Sequence, residues 1–325
     1  METIALHAAL DDSSWRLQEQ PQVLILGHFD GIHEGHVQVI RHALDYGKQH
    51  QLPVSLMTFH PHPKGVFGKP EYERFITPLS EKKRILSQLG LDRLYVVHFD
   101  LSFAKVTAQQ FAEAICRMKV KHVVVGFDYR FGHGGEGTAQ LLQEWGKGCF
   151  TVDIIPAHND VETAVKVSST RIRESLLQGD VVNANRLLGR TYIIRGEVVH
   201  GDARGRTMGF PTANVRAEEA YVIPANGVYA VKVLVHGTWH DGVLNIGLKP
   251  TFKTGETIQS VEAHLFDFDQ DIYGETVTVA LMSYIRPERK FSSIQELIAQ
   301  ITADSEEARQ RLSTMDKAPA VTIGV

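Results

Sequence analysis

The first half of the chain alternates short apolar runs with apolar positions at helical spacing. The runs predict buried strands near 22–27, 53–59, 93–99, 122–127 and 150–156. Between them, apolar residues three and four positions apart predict helices near 36–48, 78–89, 107–118 and 138–146. Because this alternation is typical of right-handed β–α–β units, we expect a doubly wound parallel sheet that binds ligands at the carboxyl ends of its strands.

Two local signals indicate where helices begin. Thr107 and Gln110 have the spacing of a capping box, in which each side chain accepts a hydrogen bond from the other residue's backbone N–H. Thr77 followed by Pro78 predicts an N-cap with proline in the first helical position.

The pattern changes in the second half. Two short helices are predicted near 169–178 and 181–188, and after Gly189 the chain becomes rich in β-branched and aromatic residues. Runs of such residues, separated by turn signals, predict strands of an antiparallel sheet or barrel at 191–199, 228–235 and 276–285. A last helix is predicted near 293–302. We therefore place the boundary near 186–190, which gives domains of residues 1–186 and 187–325.

Composition and charge narrow the class of protein. The 325 residues are 43% apolar and 22% charged, and the net charge is -4, which gives no reason to expect a nucleic-acid partner. No apolar run approaches the roughly 20 residues of a membrane span. The start, Met1 to Ile4, lacks the pattern of a signal peptide. We expect a cytoplasmic enzyme that does not bind membranes.

The two cysteines, Cys116 and Cys149, are too few for a disulfide framework or a metal cluster. Each lies among apolar residues. We therefore expect two buried, inert thiols.

The segment from Gly27 to His36, GHFDGIHEGH, joins the first predicted strand to the first predicted helix. A glycine-rich turn at a helix N-terminus presents backbone N–H groups to phosphate, and histidines can donate further hydrogen bonds to it. The alternatives are two surface histidines at a helix start, or half of a zinc site that needs further ligands.

Three other segments carry polar side chains near the same sheet edge or a helix start. Residues 58–63 (TFHPHP) and 126–132 (GFDYRFG) follow predicted strands, and residues 167–173 (VSSTRIR) open a helix. Hydroxyls, first-turn N–H groups and two arginines favour an anion site in the last segment. A plain N-cap followed by a basic helix face is the alternative.

The histidines of these segments also permit a zinc hydrolase as a rival interpretation. The candidate ligands would be His28, His33, His36, His60 and His62. No HExxH motif or cysteine ligand set supports this rival, and Pro61 restricts the geometry around its two neighbouring histidines.

The second half has its own candidate site in residues 200–214 (HGDARGRTMGFPTAN). Its glycines allow the backbone to approach a phosphate closely. Thr212 and Asn214 alternate around Ala213, so in an extended segment they share one side. Their oxygens are hard ligands suited to Mg²⁺ beside ATP. A glycine-rich hairpin loop followed by an ordinary polar strand is the alternative.

These motifs together resemble one family. The segments GxFDGxHxGH, TFxPHP, GxDxxFG and SSTRIR occur in the order found in bacterial bifunctional riboflavin kinase/FAD synthetases, and GxPTAN resembles the riboflavin kinase signature. Further matches include residues 227–229, 245–247, 250–252, 261–268, 271–275 and 285–288. The resemblance covers about residues 20–313, which is almost the whole chain.

For the first half, the resemblance implies a Rossmann-like nucleotidyltransferase domain that adenylylates FMN with ATP. His33 and His36 would be catalytic and hold the reacting phosphates, and His62 would bind flavin. The nucleotide and phosphate groups would be bound by Gly27, Phe29, Asp30, Gly31, Gly35, Asp128, Ser169, Thr170 and Arg173. Asp128 stands where many members have asparagine, and His60 where many have an acidic residue.

For the second half, the resemblance implies a Greek-key β-barrel with a C-terminal helix that phosphorylates riboflavin. Glu262 aligns with the family's proposed catalytic base. Gly201, Arg206 and Gly209 would bind nucleotide phosphates, Asn214 and Arg286 flavin, and Thr212 with Asn214 Mg²⁺. The implied small-molecule partners are riboflavin, FMN, FAD, ATP, ADP and pyrophosphate. One alternative function is a kinase that has lost or weakened the adenylyl transfer. Another is a flavin- or nucleotide-binding regulator in which both sites are degenerate.

Overall fold

The computed structural model describes residues 1–7, 10, 15, 20–201, 205, 208–250, 257–315 and 318–321, without the side chains of 249–250 and 257–258. It divides into two compact units, Met1–Ser169 and Thr170–Gly324. A membrane-spanning helix is not found among the described residues.

The first unit is built on a parallel sheet with helices. Its strands are β1 (Glu2–Leu6), β2 (Gln22–Leu26), β3 (Val54–His60), β4 (Arg93–His98), β5 (Val120–Gly126) and β8 (Thr151–Ile155), with a separate ribbon of β6 (Arg130–Phe131) and β7 (Gly137–Thr138). Its helices are α1 (Glu34–His50), α2 (Pro63–Val66), α3 (Leu79–Gln88), α4 (Ala108–Arg117) and α5 (Ala139–Trp145).

The strand order of the main sheet is β1-β4-β3-β2-β5-β8, and every paired strand is parallel. All five residues of β2 are buried, as expected of a central strand covered on both faces. From β2 the chain runs to β3 and β4 on one side, and later to β5 and β8 on the other. Between β2 and β5 the sheet therefore has its switch point, where doubly wound folds bind ligands.

The predicted strands and helices of this unit are all present, and the capping box of Thr107 and Gln110 is confirmed. The N-cap prediction for Thr77 was wrong. Pro78 occupies that position without a capping side chain, because the helix begins at Leu79. Strand β1 was not predicted. It lies at the sheet edge and has a mostly exposed pattern, so it lacks the apolar run of a central strand.

The cysteine prediction also needs correction. Cys116 on α4 and Cys149 before β8 form a disulfide, with Cα atoms 5.8 Å apart, and both residues are half-buried rather than buried. Sequence spacing could not reveal this pair, because the fold brings together positions that are 33 residues apart.

The second unit is a closed barrel with helices. Its strands are β9 (Ile193–Val199), β10 (Ala213–Ala217), β11 (Gly227–Val235), β12 (Thr238–Pro250), β13 (Thr257–Leu265) and β14 (Thr276–Arg286), in the order β10-β13-β12-β11-β14-β9. All neighbours are antiparallel, and β10-β13-β12-β11 has Greek-key order. The predicted barrel is thus confirmed.

In the described part of the second unit, three further elements are helices: α6 (Ser169–Leu177), which begins at the division, α7 (Val181–Leu188) and α8 (Ile294–Ser313). Helix α8 confirms the predicted terminal helix but is longer than the predicted 293–302. The Asn185 amide on α7 donates to the carbonyl oxygen of Leu281 (2.9 Å) and accepts from the Tyr192 backbone N–H (2.7 Å). These bonds join α7 to the barrel, and the two compact units divide between Ser169 and Thr170. The domain boundary near 186–190 stays a prediction.

Candidate active sites

The turn between β2 and α1 has an unusual backbone. Phe29, Gly31 and Ile32 have φ of 52°, 92° and 42°, and only glycine adopts such values without strain. A Cβ on Gly27 would lie 2.7 Å from the Phe29 ring, so this position requires glycine if the ring is to stay in place. The turn follows the buried strand β2 and lies at the switch point of the sheet.

Buried Asp30 fixes this turn to a neighbouring segment. Its Oδ1 accepts a hydrogen bond from the Thr77 backbone N–H (3.1 Å). Its carbonyl oxygen accepts one from the Ser169 hydroxyl (2.6 Å). The structure therefore brings Ser169, the second serine of the SSTRIR segment, to the GHFDGIHEGH turn. Thr170 and Arg173 follow Ser169 on α6 and belong to the second unit.

His33 is the N-cap of α1. Its Nδ1 accepts a hydrogen bond from the His36 backbone N–H (3.3 Å), so a neutral His33 ring carries its proton on Nε2. The His33 and His36 rings stack with centroids 3.7 Å apart. A Cβ on Gly35 would lie 3.3 Å from the His33 ring, so the small residue leaves room for it. Two imidazoles thus stand at a helix N-terminus, which favours anions.

Lys82 is a component of this site that sequence reasoning missed. Its buried ammonium donates to the His28 carbonyl oxygen (2.7 Å) and to the Thr58 hydroxyl (3.1 Å). Burial lowers the pKa of Lys82 from 10.5 to about 8, against the opposing charge of Asp30. A signal was available: Lys82 precedes the core residues Ile85 and Leu86 by three and four positions, which places a charge on the apolar face of α3.

Two further histidines face each other beside the turn. The ring centroids of His28 and His62 are 3.9 Å apart, and His62 caps α2 by accepting from the Lys64 backbone N–H (3.0 Å). Burial, and next the charge of Lys82, lowers the pKa of His28 well below 6.5, so His28 is neutral at pH 7. In the described part of the chain, the five histidines of the zinc interpretation bring no three ligand atoms within 4.8 Å of one another.

Asp128, the departure from the resembled family, is exposed and forms an ion pair with Lys166. The Lys166 ammonium also lies over the Phe127 ring, 4.5 Å from its centroid. The charge that aspartate adds at this position is thus partly offset by a neighbouring lysine.

The second candidate site is a cavity of about 420 Å³ in the barrel unit. Glu262, Thr212 and Arg286 line it together with apolar residues of the barrel and of α8, among them Val228, Leu244, Leu297 and Ile301. A mostly apolar wall with a few polar groups is typical of a small-molecule site. The structure therefore places three residues predicted from the sequence in one cavity.

Glu262 on β13 is flanked by two amide side chains. It pairs with Asn214 on β10 and with Asn245 on β12, and paired residues of antiparallel strands have side chains on the same face. Gly201 lies close against the Asn214 side chain. A Cβ on Gly201 would be 2.2 Å from Asn214 Nδ2. Asn245 also lines the cavity and was not among the candidate residues.

Arg286 is held more firmly than a surface arginine. Its guanidinium donates to both carboxylate oxygens of the buried Asp304 on α8, at 2.8 and 2.7 Å. Gly209 has φ of 87°, which suits a glycine in a turn. Arg206 lies outside the described residues, as do positions 202–204 and 207 of the same loop.

Known proteins resemble the chain in both halves. A family model for FAD synthetase matches residues 16–171, and one for riboflavin kinase matches residues 188–312. The chain is 41% identical to a bifunctional riboflavin kinase/FMN adenylyltransferase of Listeria monocytogenes, over 95% of this chain and 98% of the relative. It is 44% identical to the Bacillus subtilis protein of the same name, over 92% and 95%.

Among solved structures, a Streptococcus pneumoniae chain matches with a TM-score of 0.86 and 38% identity, over 95% of this chain and 99% of that one. That protein is described as a macrolide-efflux protein, which disagrees with the names of the two curated relatives. The family models decide the assignment, because each matches one half of the chain and both agree with the curated relatives. The chain belongs to the bifunctional riboflavin kinase/FMN adenylyltransferase family.

Proposed function

We propose that the protein phosphorylates riboflavin to FMN with ATP and then adenylylates FMN with a second ATP to give FAD. One observation supports this proposal: each half of the chain carries polar side chains of the kind that its proposed reaction needs. Glu262 lines the barrel cavity, and His33 and His36 lie at the N-terminus of α1.

The kinase step needs a base because a primary alcohol is a poor nucleophile. In our proposal the Glu262 carboxylate accepts the proton of the riboflavin 5′-hydroxyl while its oxygen bonds to the γ-phosphorus of ATP. The bond from that phosphorus to the bridging oxygen breaks, and ADP leaves. Asn214 and Asn245, which flank Glu262, would orient the hydroxyl or the carboxylate.

Thr212 and Asn214 suit a magnesium ion. Both are half-buried on either side of buried Ala213, and both offer oxygen ligands. The ion would neutralise charge between the phosphates of ATP. Gly201 and Gly209 would allow the nucleotide phosphates to approach the backbone, Arg206 would pair with them, and Asn214 and Arg286 would contact the flavin.

The adenylyl transfer needs no base. The phosphate of FMN is already anionic at neutral pH, since its second pKa is near ~6. Its oxygen attacks the α-phosphorus of ATP and pyrophosphate leaves. The Nε2–H of His33, the His36 ring and the N–H groups that open α1 would stabilise charge on the transferred phosphate. Ser169, Thr170 and Arg173 would bind the leaving pyrophosphate.

The remaining residues of the first site would position the substrates. Gly27, Phe29, Asp30, Gly31 and Gly35 would shape the turn around the nucleotide, Asp128 would lie beside it, and His62 would bind the flavin. We further propose that the protein works in the cytoplasm.

Incubation of the protein with riboflavin, ATP and Mg²⁺, followed by product analysis over time, tests this function. FMN followed by FAD supports both activities, whereas FMN alone supports a kinase without adenylyl transfer. Tight flavin binding without turnover supports a regulator. His36→Ala should lower FAD formation about 10²–10³-fold and leave FMN formation nearly unchanged. Equal loss of both activities in a folded variant contradicts the assignment.

A further inference from the structure

A cluster of side chains that could hold a metal ion lies in the first unit, away from the turn between β2 and α1. His42 Nε2 lies 2.6 Å from Asp153 Oδ2, and His122 Nε2 lies 3.3 Å from the same oxygen. All three ligand atoms are within 4.8 Å of one another. His42 is nine residues beyond His33 on α1, which corresponds to about 13 Å along the helix. The cluster therefore belongs to a different place on the sheet.

His122 is prepared to act as a ligand. It is 2% exposed, and in the described part of the chain its Nε2 makes no hydrogen bond. Its Nδ1 lies 2.7 Å from the Thr151 hydroxyl oxygen, and that hydroxyl in turn donates to the Lys121 carbonyl oxygen (3.5 Å). With an ion bound, the Thr151 oxygen would accept the Nδ1 proton. The Nε2 lone pair would then bind the ion beside Asp153, as in other histidines that bind metals.

The ring of His122 is also held in place. It stacks on Tyr46 of α1, with centroids 3.6 Å apart and ring planes 5° apart. This stacking fixes the direction of the imidazole nitrogens, so Nε2 stays on the side of Asp153.

The other two ligands can adjust to an ion. In tetrahedral zinc sites the ligand atoms lie about 3.3 Å apart, since each is ~2.0–2.1 Å from the metal. The distance from His122 to Asp153 already has this value, whereas the hydrogen bond from His42 to Asp153 would have to lengthen. The side chains of His42 and Asp153 are 44% and 42% exposed, so both can move and water can complete the coordination.

We propose that His42, His122 and Asp153 bind one divalent transition-metal ion, of which Zn²⁺ is the prime candidate, at a site separate from both active sites. Two imidazole nitrogens with one carboxylate oxygen favour Zn²⁺, Co²⁺ or Ni²⁺ over Mg²⁺, which prefers oxygen ligands. The bound ion would join α1 to β5 and β8. It would therefore stabilise the first unit in proportion to the logarithm of the metal concentration above its dissociation constant.

The experiment is a titration of the tag-free, full-length protein with Zn²⁺ by calorimetry, and with Co²⁺ by visible absorption. The matched variants are His42→Gln and Asp153→Asn, whose side chains are half-exposed, with His50→Gln on the same helix as the control. We expect the wild type and His50→Gln to bind one more equivalent of Zn²⁺ than the other two. In wild type and control only, Zn²⁺ should raise the melting temperature.

A further variant tests whether the hydrogen bond from His122 to Thr151 contributes to metal affinity. Thr151→Val keeps the shape of the side chain but removes the acceptor for His122 Nδ1–H, and it should weaken Zn²⁺ affinity about 10–100-fold. Zn²⁺ can also reach the histidines of the turn between β2 and α1. The number of Zn²⁺ ions bound per protein molecule is therefore compared between variants. Equal stoichiometry and equal stabilisation in His42→Gln, Asp153→Asn and wild type, all folded without metal, would overturn the proposal.

Discussion

Glu262 is held in the barrel cavity by strand pairing rather than by a flexible loop, with Asn214 and Asn245 on either side. Glu262→Gln keeps the size and one carbonyl oxygen but cannot accept a proton. If the carboxylate is the general base, FMN formation should fall by roughly 10²–10⁴. Steady-state assays with riboflavin and ATP measure this loss.

Binding measurements separate this role from a structural one. Riboflavin and ATP should bind the Glu262→Gln variant nearly as well as the wild type, since proton transfer matters mainly in the transition state. FAD formation from supplied FMN should continue. Near-normal kinase turnover in this variant would remove Glu262 from the mechanism, and loss of ATP binding would reassign it as a ligand.

The burial of Lys82 predicts how the free energy of unfolding depends on pH. Its pKa in the folded protein is about 8, below the 10.5 of an exposed lysine. Between these two values the unfolded chain holds a proton that the folded protein has released, so the free energy of unfolding rises with pH in this window. The gain relative to Lys82→Met should approach roughly 3 kcal/mol by pH 10.5.

Urea unfolding of both proteins at pH 7 and pH 10 measures this difference. The wild type should gain stability relative to Lys82→Met at the higher pH. Lys83→Met, which alters a half-buried amine on the same helix, is the matched control. A constant difference between wild type and Lys82→Met at the two pH values would show that Lys82 is not buried as a cation at pH 7.

Much of the candidate site could be predicted from single residues, because His33, His36 and Glu262 stand in recognisable motifs. Contacts between segments that are far apart in the sequence could not be predicted. The hydrogen bond from Ser169 to Asp30 joins positions 139 residues apart, and Lys82 enters the first site from a helix that carries none of the motifs. Only the folded sheet brings these segments to one edge.

At the scale of an element, the backbone conformation of the turn between β2 and α1 should affect both the stability of the protein and FAD formation. Gly31 has φ of 92°, and alanine in such a conformation costs about 1–2 kcal/mol. Because Gly31 lies between Asp30 and the His33 cap, Gly31→Ala should both destabilise the protein and lower FAD formation. Thermal unfolding and separate assays of the two activities measure these effects.

The control for Gly31→Ala is Gly90→Ala. Gly90 has nearly the same φ, 91°, follows α3, and has open space where a Cβ would lie. The two variants should therefore introduce similar backbone strain, but Gly90→Ala should keep FAD formation. If both variants lose FAD formation equally, the loss reflects reduced stability alone. The prediction that the turn around Gly31 has a specific role in adenylyl transfer would then be wrong.

Prediction of whole elements succeeded where periodicity was strong and failed where burial was partial. The apolar runs of the central strands β2 to β5 predicted them correctly. Edge strand β1 has a single buried residue, Leu6, so its pattern was too weak to recognise. The missed end of α8 carries the buried residues Asp304, Ala308 and Leu312, but the first of them is charged, which weakens the apolar pattern. The disulfide between Cys116 and Cys149 depends on how the fold brings α4 beside the segment that precedes β8, which no local pattern encodes.

At the scale of the molecule, the two activities should reside in separate fragments of the chain. The stability of the barrel fragment should depend on whether the cut lies before or after α6 and α7. Family models match residues 16–171 and 188–312 and leave α7 and most of α6 between them. In the structure the Leu176 carbonyl oxygen at the end of α6 accepts from the Ala225 backbone N–H (3.0 Å), and Asn185 bonds to β14. Both helices therefore support the barrel.

Two fragments test this conclusion. Residues 168–325 retain both helices, whereas residues 187–325 lose the buried side chains of Ile172, Leu176 and Val181. Each such side chain contributes about 1.5–3 kcal/mol when fully buried, so the shorter fragment should unfold at a clearly lower temperature. The longer one should phosphorylate riboflavin and make no FAD. Equal melting temperatures and equal kinase activity would instead place both helices with the adenylyl-transfer domain, at the boundary that the sequence pattern predicts.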